Sequence, residues 1–267
     1  MHKFWMIAVA TACAAQATAG VVLETVERDP AAATVNGTNV MRADDGRLRM
    51  ERYEDGKLVA VMIFKDDALH ALDPADKTYA VLDRATIRKV ADVVNPALKE
   101  MQEQLAKMSP EQRAMVEQMM KGSLPSGLGD GHKKVRTVVA TDRSDRIAGL
   151  TCTVYEIRED SELVREACVA PVQSVPGGPD FYAVLSRMGA LMQEMLDAID
   201  TPWLEDAVDD QWALVEELNG VPIRGREFTQ GKPVLEVELT RIAEEKAPAG
   251  SFDVPADYTR RDLDELQ

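Results

Sequence analysis

The chain has 267 residues, 46 of them acidic and 31 basic, for a formal net charge of −15 at pH 7. That balance leaves no basic footprint for a nucleic-acid partner and opposes docking on an anionic membrane surface. The length admits one large domain or two small ones.

Residues 1–19 read as a secretory signal peptide: His2 and Lys3 give a basic start, Phe4–Ala10 is mostly apolar, and Ala17-Thr18-Ala19 is an A-x-A cleavage site. The expected mature chain begins at Gly20 in the periplasm. Cys13 would serve a lipid anchor, but Ala10-Thr11-Ala12 lacks the leucine three positions upstream that such a site uses. No later run is long and apolar enough to read as a membrane span.

Val21–Arg28 reads as the first strand and Ala33–Arg42 as its return, with Asn36-Gly37 marking a bulge or tight bend. Gly46–Leu82 then has a two-residue hydrophobic period broken by turn chemistry at Asp55-Gly56 and Asp73-Pro74-Ala75-Asp76, which predicts an antiparallel meander. Within it Leu58–Phe64 is apolar on both faces, Leu58, Ala60, Met62 and Phe64 on one and Val59, Val61 and Ile63 on the other. A strand with one wet face would alternate, so cover on both sides is expected, supplied by the helices that follow.

From Ile87 the apolar residues Val90, Val94, Leu98, Met101, Leu105 and Met108 recur three and four apart, the stripe of an amphipathic helix, with a kink or break expected near Asn95 because of Pro96. Ser109-Pro110-Glu111-Gln112 has the chemistry of a capping box restarting a helix that runs to Gly122. After a Gly/Ser/Pro loop, strands are predicted at Lys134–Thr141, Leu150–Ile157 and Leu163–Ala170. A turn at Glu159-Asp160-Ser161 would place residues summing to 320 opposite one another, so Cys152 faces Cys168. These two cysteines are also the pair left after signal removal, and an oxidising compartment makes a disulfide the expectation. Phe181, Leu185, Met188, Met192, Met195 and Ile199 form a second helical stripe, and Asp209–Leu218 another short helix. The strands Val221–Phe228 and Val234–Ile242 follow, then an edge-like Phe252-Asp253-Val254-Pro255 and an acidic tail.

No constellation for catalysis stands out. His70 and His132 lack metal-ligand partners at workable spacing, the paired acids Asp66-Asp67, Asp209-Asp210 and Glu244-Glu245 suit a solvated acidic surface, and neither a nucleophile elbow nor a phosphate loop is present. Neither an enzyme nor a cofactor is expected. Eight of the thirteen methionines fall in Met101–Met120 and Met188–Met195. Methionine-rich faces adapt to irregular apolar partners.

Gly46-Arg47-Leu48-Arg49-Met50, with Leu72-Asp73-Pro74 and Lys77-Thr78-Tyr79, resembles exported proteins of the LolA/LolB-like (lipoprotein localisation factor) superfamily. Met108-Ser109-Pro110-Glu111-Gln112-Arg113, Gly149-Leu150-Thr151-Cys152-Thr153-Val154-Tyr155 with Cys168, and Phe252-Asp253-Val254-Pro255 resemble an uncharacterised exported bacterial family. The resemblance implies a half-open β-barrel with helices on its concave face, around a cavity that in the localisation factors shelters acyl chains. The long helical insertions depart from that pattern.

The expected fold is therefore α+β: a curved antiparallel sheet of about ten or eleven strands forming one domain over residues 20–258, with helical insertions near 87–120 and 181–199 and a tail at 259–267. The expected function is a periplasmic carrier of an apolar ligand, a lipid or acylated peptide, held by Met101, Leu105, Met108, Met188, Met192 and Met195. The alternative is an envelope interaction or sensor protein whose cavity is filled by its own helices.

Overall fold

The computed structural model describes residues 20–109, 112, 135–199 and 217–261. Six strands come first, β1 (Val21–Asp29), β2 (Thr34–Asp44), β3 (Arg47–Glu54), β4 (Lys57–Lys65), β5 (Ala68–Asp73) and β6 (Thr78–Leu82), followed by helix α1 (Arg84–Lys107). Then come β7 (Arg136–Ile147), β8 (Leu150–Glu159), β9 (Glu162–Pro171), helix α2 (Gly178–Ala198), β10 (Gly220–Thr229), β11 (Lys232–Glu244) and the short β12 (Thr259–Arg260). All twelve strands join one unclosed sheet in the order β12-β6-β5-β4-β3-β2-β1-β11-β10-β9-β8-β7. Each neighbouring pair is antiparallel except β12, which lies parallel to β6. Asn36 is an extra residue in β2, the bulge expected at Asn36-Gly37.

The sheet curls towards the helices. Asp145, the cross-strand partner of Cys152, forms an ion pair of 2.6 Å with Arg224, reaching from β7 to β10 over two intervening strands. A flat sheet would separate those strands by about 14 Å at the usual spacing, so only curvature brings the two side chains together.

Among the described residues three apolar clusters form the core. The largest lies between the concave face and α2: Leu48, Phe64, Cys152, Cys168, Phe181, Met188, Leu191 and Leu239 are all at most 2% exposed. Helix α2 begins against the preceding turn, where a Cβ at Gly178 would collide with the carbonyl oxygen of Val172. Asp83 caps α1, its Oδ1 accepting from the Thr86 N–H at 2.7 Å. Of the kink or break expected near Asn95, no break occurs: α1 runs through Pro96 as one helix. Pro96 is exposed, and Asn95 beside it donates to the Ala198 carbonyl at 3.0 Å, tying α1 to the end of α2. The missing N–H is tolerated within that docked helix. The helix expected over Ser109–Gly122 lies outside the described residues beyond its cap, where Gln112 N–H donates to Ser109 Oγ and Ser109 N–H to Gln112 Oε1, a reciprocal capping box. The helix expected over Asp209–Leu218 also lies mostly outside them.

The second cluster is on the opposite face, and it corrects the expectation that helices cover both sides of β4. Val61, Ile63 and Leu72 are covered there by the segment after β11, whose Phe252 is 3% exposed. Ion pairs Lys65–Asp253, Lys77–Asp257 and Arg261–Asp76 pin this strap, and the Arg47 guanidinium lies 4.6 Å from the Phe252 ring centroid. The third cluster, Ile157, Ala167 and Val169, occupies the face of β8–β9 away from α2.

Burying Phe252 is the main apolar contribution of the strap, so Phe252→Ala is expected to cost about 3–5 kcal/mol in urea unfolding. A loss below about 1 kcal/mol would show that the strap opens independently of the sheet.

Burial raises the pKa of Glu51, but hydrogen bonds and charges from Arg49 (2.7 Å) and Arg42 (2.9 Å) outweigh it and hold the carboxyl below the ordinary glutamate value of 4.5. A carboxylate with a depressed folded-state pKa stabilises above its unfolded value and loses that contribution as pH falls through the folded one. The stability advantage of the wild type over Glu51→Gln should therefore be full at pH 7 and shrink below pH 4.5. Urea midpoints of the two proteins at neutral and acid pH check this.

Candidate functional site

The concave face of β2–β6 is organised in cross-strand rows set by tight turns. Asp45-Gly46, Asp55-Gly56 and Asp66-Asp67 all have positive φ at both central positions, the geometry of hairpins that follow the natural strand twist. The β2–β3 and β4–β5 hairpins continue from these turns without interruption. In β4 one extra residue, Val59, bulges out, so that Tyr53 pairs with Leu58 but Arg52 with Ala60. Leu58 consequently joins Val61 and Ile63 under the C-terminal strap, where the strict alternation of the sequence had put it with Phe64.

The resulting rows differ in cover. Ala43, Leu48, Phe64, Leu69 and Leu82 are successive cross-strand partners, and the first three are at most 4% exposed beneath α2. The next row is Met41, Met50, Met62, Ala71 and Ala80. Met41 and Met50 are half-buried against the core edge, whereas Met62 is 39% exposed and Ala71 is open to solvent. Beyond it lies a row of Asn39, Arg52 and Ala60, polar at its first two positions.

The uneven cover follows from where α2 lies. A Cβ at Gly177, the residue before its start, would sit 3.0 Å from Val21 Cβ, Arg187 in its middle bonds the Gly46 carbonyl (3.2 Å) and Asp67 (2.7 Å), and Glu194 near its end pairs with Arg84 at 2.7 Å. All these contacts fall at one end of the strands. The methionine row lies along the flank of the helix.

Arg52 closes the polar side of this shelf. It forms a two-toothed ion pair with Glu27 at 2.6 and 3.2 Å and a third hydrogen bond to Glu54 at 3.0 Å. Gly37, the partner of Glu27, makes room: a Cβ there would sit 3.0 Å from the Tyr53 carbonyl oxygen and 3.7 Å from the guanidinium. Its hydrogen bonds to Glu27, then to Glu54, push the already high pKa of Arg52 further up, so the guanidinium stays charged. At the other end of the sheet the like-charged partners Glu156 and Glu166 are bridged by Arg143 at 2.8 and 2.6 Å.

Of the residues expected to hold a ligand, Met188 is 1% exposed within the main core, and Met195 borders the same core half-buried. Met192 and Met108 are half-buried, and the side chains of Met101 and Leu105 lie outside the described residues. Met41, Met50 and Met62 had not been singled out. Their sequence signal is period-two placement on three consecutive predicted strands, but aligning Met50 with Met62 requires the Val59 bulge, which no motif announces.

Cys152 and Cys168 form the expected disulfide, with Cα atoms 5.3 Å apart, but not as direct partners. Cys168 faces Val154, and the bridge is diagonal. The two-residue turn Asp160-Ser161 starts the pairing one step from the expected register, and an extra residue at Val164 adds a second step. Without that bulge Cys168 would point to the other face.

No family model matches the chain, and no curated protein does. Among solved structures it is similar to an uncharacterised conserved protein from Thermus thermophilus, at 7% identity over 91% of each chain with a TM-score of 0.41. It is also similar to a chain of the Pseudomonas aeruginosa MucA/MucB complex, at 8% identity and a TM-score of 0.37, covering 90% of this chain and 57% of that one. At these scores neither likeness bears on what this chain binds. Among the described residues no helix is long and apolar enough to cross a membrane.

Deleting Val164 removes the extra residue and leaves Cys168 paired with Val154, so the variant is expected to keep its bridge and show no free Cys152 or Cys168 thiol by thiol titration. Free thiols at both positions would mean that the bulge itself, and not only the parity it sets, is needed for the bridge.

Proposed function

We propose that this chain is a non-enzymatic periplasmic binding or carrier protein for an apolar ligand, a lipid or an acylated peptide. The observation that carries the reading is the half-open methionine row: an apolar strip on the concave face that α2 flanks without covering, with Met62 39% exposed at its centre. Apolar surface removed from water there contributes about 25 cal/mol per Å², and unbranched thioether side chains adapt to a ligand of irregular shape. Met192 and Met195 of α2 and Met108, just past the end of α1, are the further residues that would contact the ligand. The signal-like residues 1–19 and the Cys152–Cys168 disulfide support an oxidising, exported location.

A specific observation favours a second reading, an envelope interaction protein filled by its own helix. Phe181, Met188 and Leu191 of α2 are at most 2% exposed, so part of the concave face is already occupied.

The two readings separate by titration with a fluorescent fatty-acyl probe. The wild type should bind it, and Met62→Asp should bind at least about tenfold more weakly, a loss of about 1.4 kcal/mol, while its urea midpoint changes little because the site is hydrated. If the wild type takes up no apolar probe, and protein purified from periplasm carries no lipid by native mass spectrometry, the carrier reading fails and the interaction protein stands.

A further inference from the structure

Residues 21–82 contain three methionines, Met41, Met50 and Met62, and the pairing places all three in one cross-strand row on adjacent strands. The buried row beside them uses alanine, leucine and phenylalanine and no methionine. An apolar strip alone would not require sulfur at each of these positions. From this juxtaposition we propose that Met41, Met50 and Met62 form a thioether site for a soft monovalent cation, copper(I) or its surrogate silver(I).

The physical case rests on donor type, spacing, access and charge. Thioether sulfur is a soft, neutral ligand that selects copper(I) over harder cations. Adjacent strands lie about 4.8 Å apart, and the sheet curls towards this face, which draws side-chain ends together. Each methionine has three rotatable bonds with which to turn its sulfur to a common centre. Met62, 39% exposed between the polar row and the helix, leaves a path for the ion. Three neutral ligands leave the bound ion its full positive charge, and the neighbouring Arg52 carries two carboxylate partners, Glu27 and Glu54, so the adjacent triad is net negative. The whole chain, at −15, adds to that field. Among the described residues no group of three His, Cys, Asp or Glu converges as a competing site for a harder metal.

The proposal is independent of the apolar-ligand reading, which acyl-probe binding by the wild type tests by itself. The test is anaerobic titration of the full mature chain with copper(I) against a chromogenic chelator, and with silver(I) by native mass spectrometry. One ion per chain is expected, with an all-sulfur shell by X-ray absorption. Leucine keeps the volume and apolarity of methionine but removes the donor. Met50→Leu and Met62→Leu should each weaken binding by more than the roughly tenfold that a lost outer-shell partner costs, and the triple leucine variant should abolish it. Should the triple variant not fold, the single Met62→Leu change at the exposed position decides the matter. Failure of the wild type to bind either ion, leucine variants that bind as the wild type does, or nitrogen and oxygen in the metal shell would each overturn the proposal.

Discussion

A one-residue shift in strand pairing exchanges the two faces of a strand, and single-residue bulges therefore decide what this sheet buries. Val59 in β4 puts Met62 in line with Met50 and turns Leu58 to the opposite face. Val164 in β9 brings Cys168 onto the face of Cys152. Both bulges follow a two-residue turn with positive φ, Asp55-Gly56 in one hairpin and Asp160-Ser161 in the other. The turns start the pairing, and the bulges shift its parity. Had either been absent, the same residues would present a different core.

That parity also explains how the described residues cover both faces of a wide sheet. Each strand between β2 and β5 offers two faces, and they are covered by different parts of the chain. Helix α2 takes the concave side at one end, held by Arg187 and Glu194, and the strap around Phe252 takes the convex side. The half-open row is what the concave cover leaves over. It lies between fully buried residues, such as Leu48 and Phe64, and the ion-paired Arg52. This gradient from core to charge across neighbouring rows is the chemical character of the site.

The charges are distributed in the same manner. A chain with so large an acidic excess is under self-repulsion, and the sheet sets arginines between or beside its carboxylates. Arg143 separates Glu156 from Glu166, Arg52 joins Glu27 to Glu54, and Arg42 and Arg49 enclose Glu51. Most of these pairs are partly exposed, where each contributes little to stability alone. Their effect is to let acidic residues occupy neighbouring positions on one sheet.

Much of the architecture was legible in the amino-acid order, because it depends on local chemistry. The period-two strands from Val21 to Leu82, the turns with Asp and Gly, the helical stripe from Phe181 to Ile199, the Ser109–Gln112 capping box and the identity of the disulfide partners follow from side chains close in sequence or from a count of cysteines. What was not legible depends on long-range pairing. The strap closes over β4 from a position 188 residues away at the Lys65–Asp253 pair, and no periodicity indicates that meeting. Pro96 stays within α1, docked against α2, where local preference alone predicts a break. The methionine row exists only once a bulge has set the register of β4 against β3. Residue type and spacing determined which elements form; the register between strands, fixed by bulges and by distant segments packing on each face, decided which side chains meet.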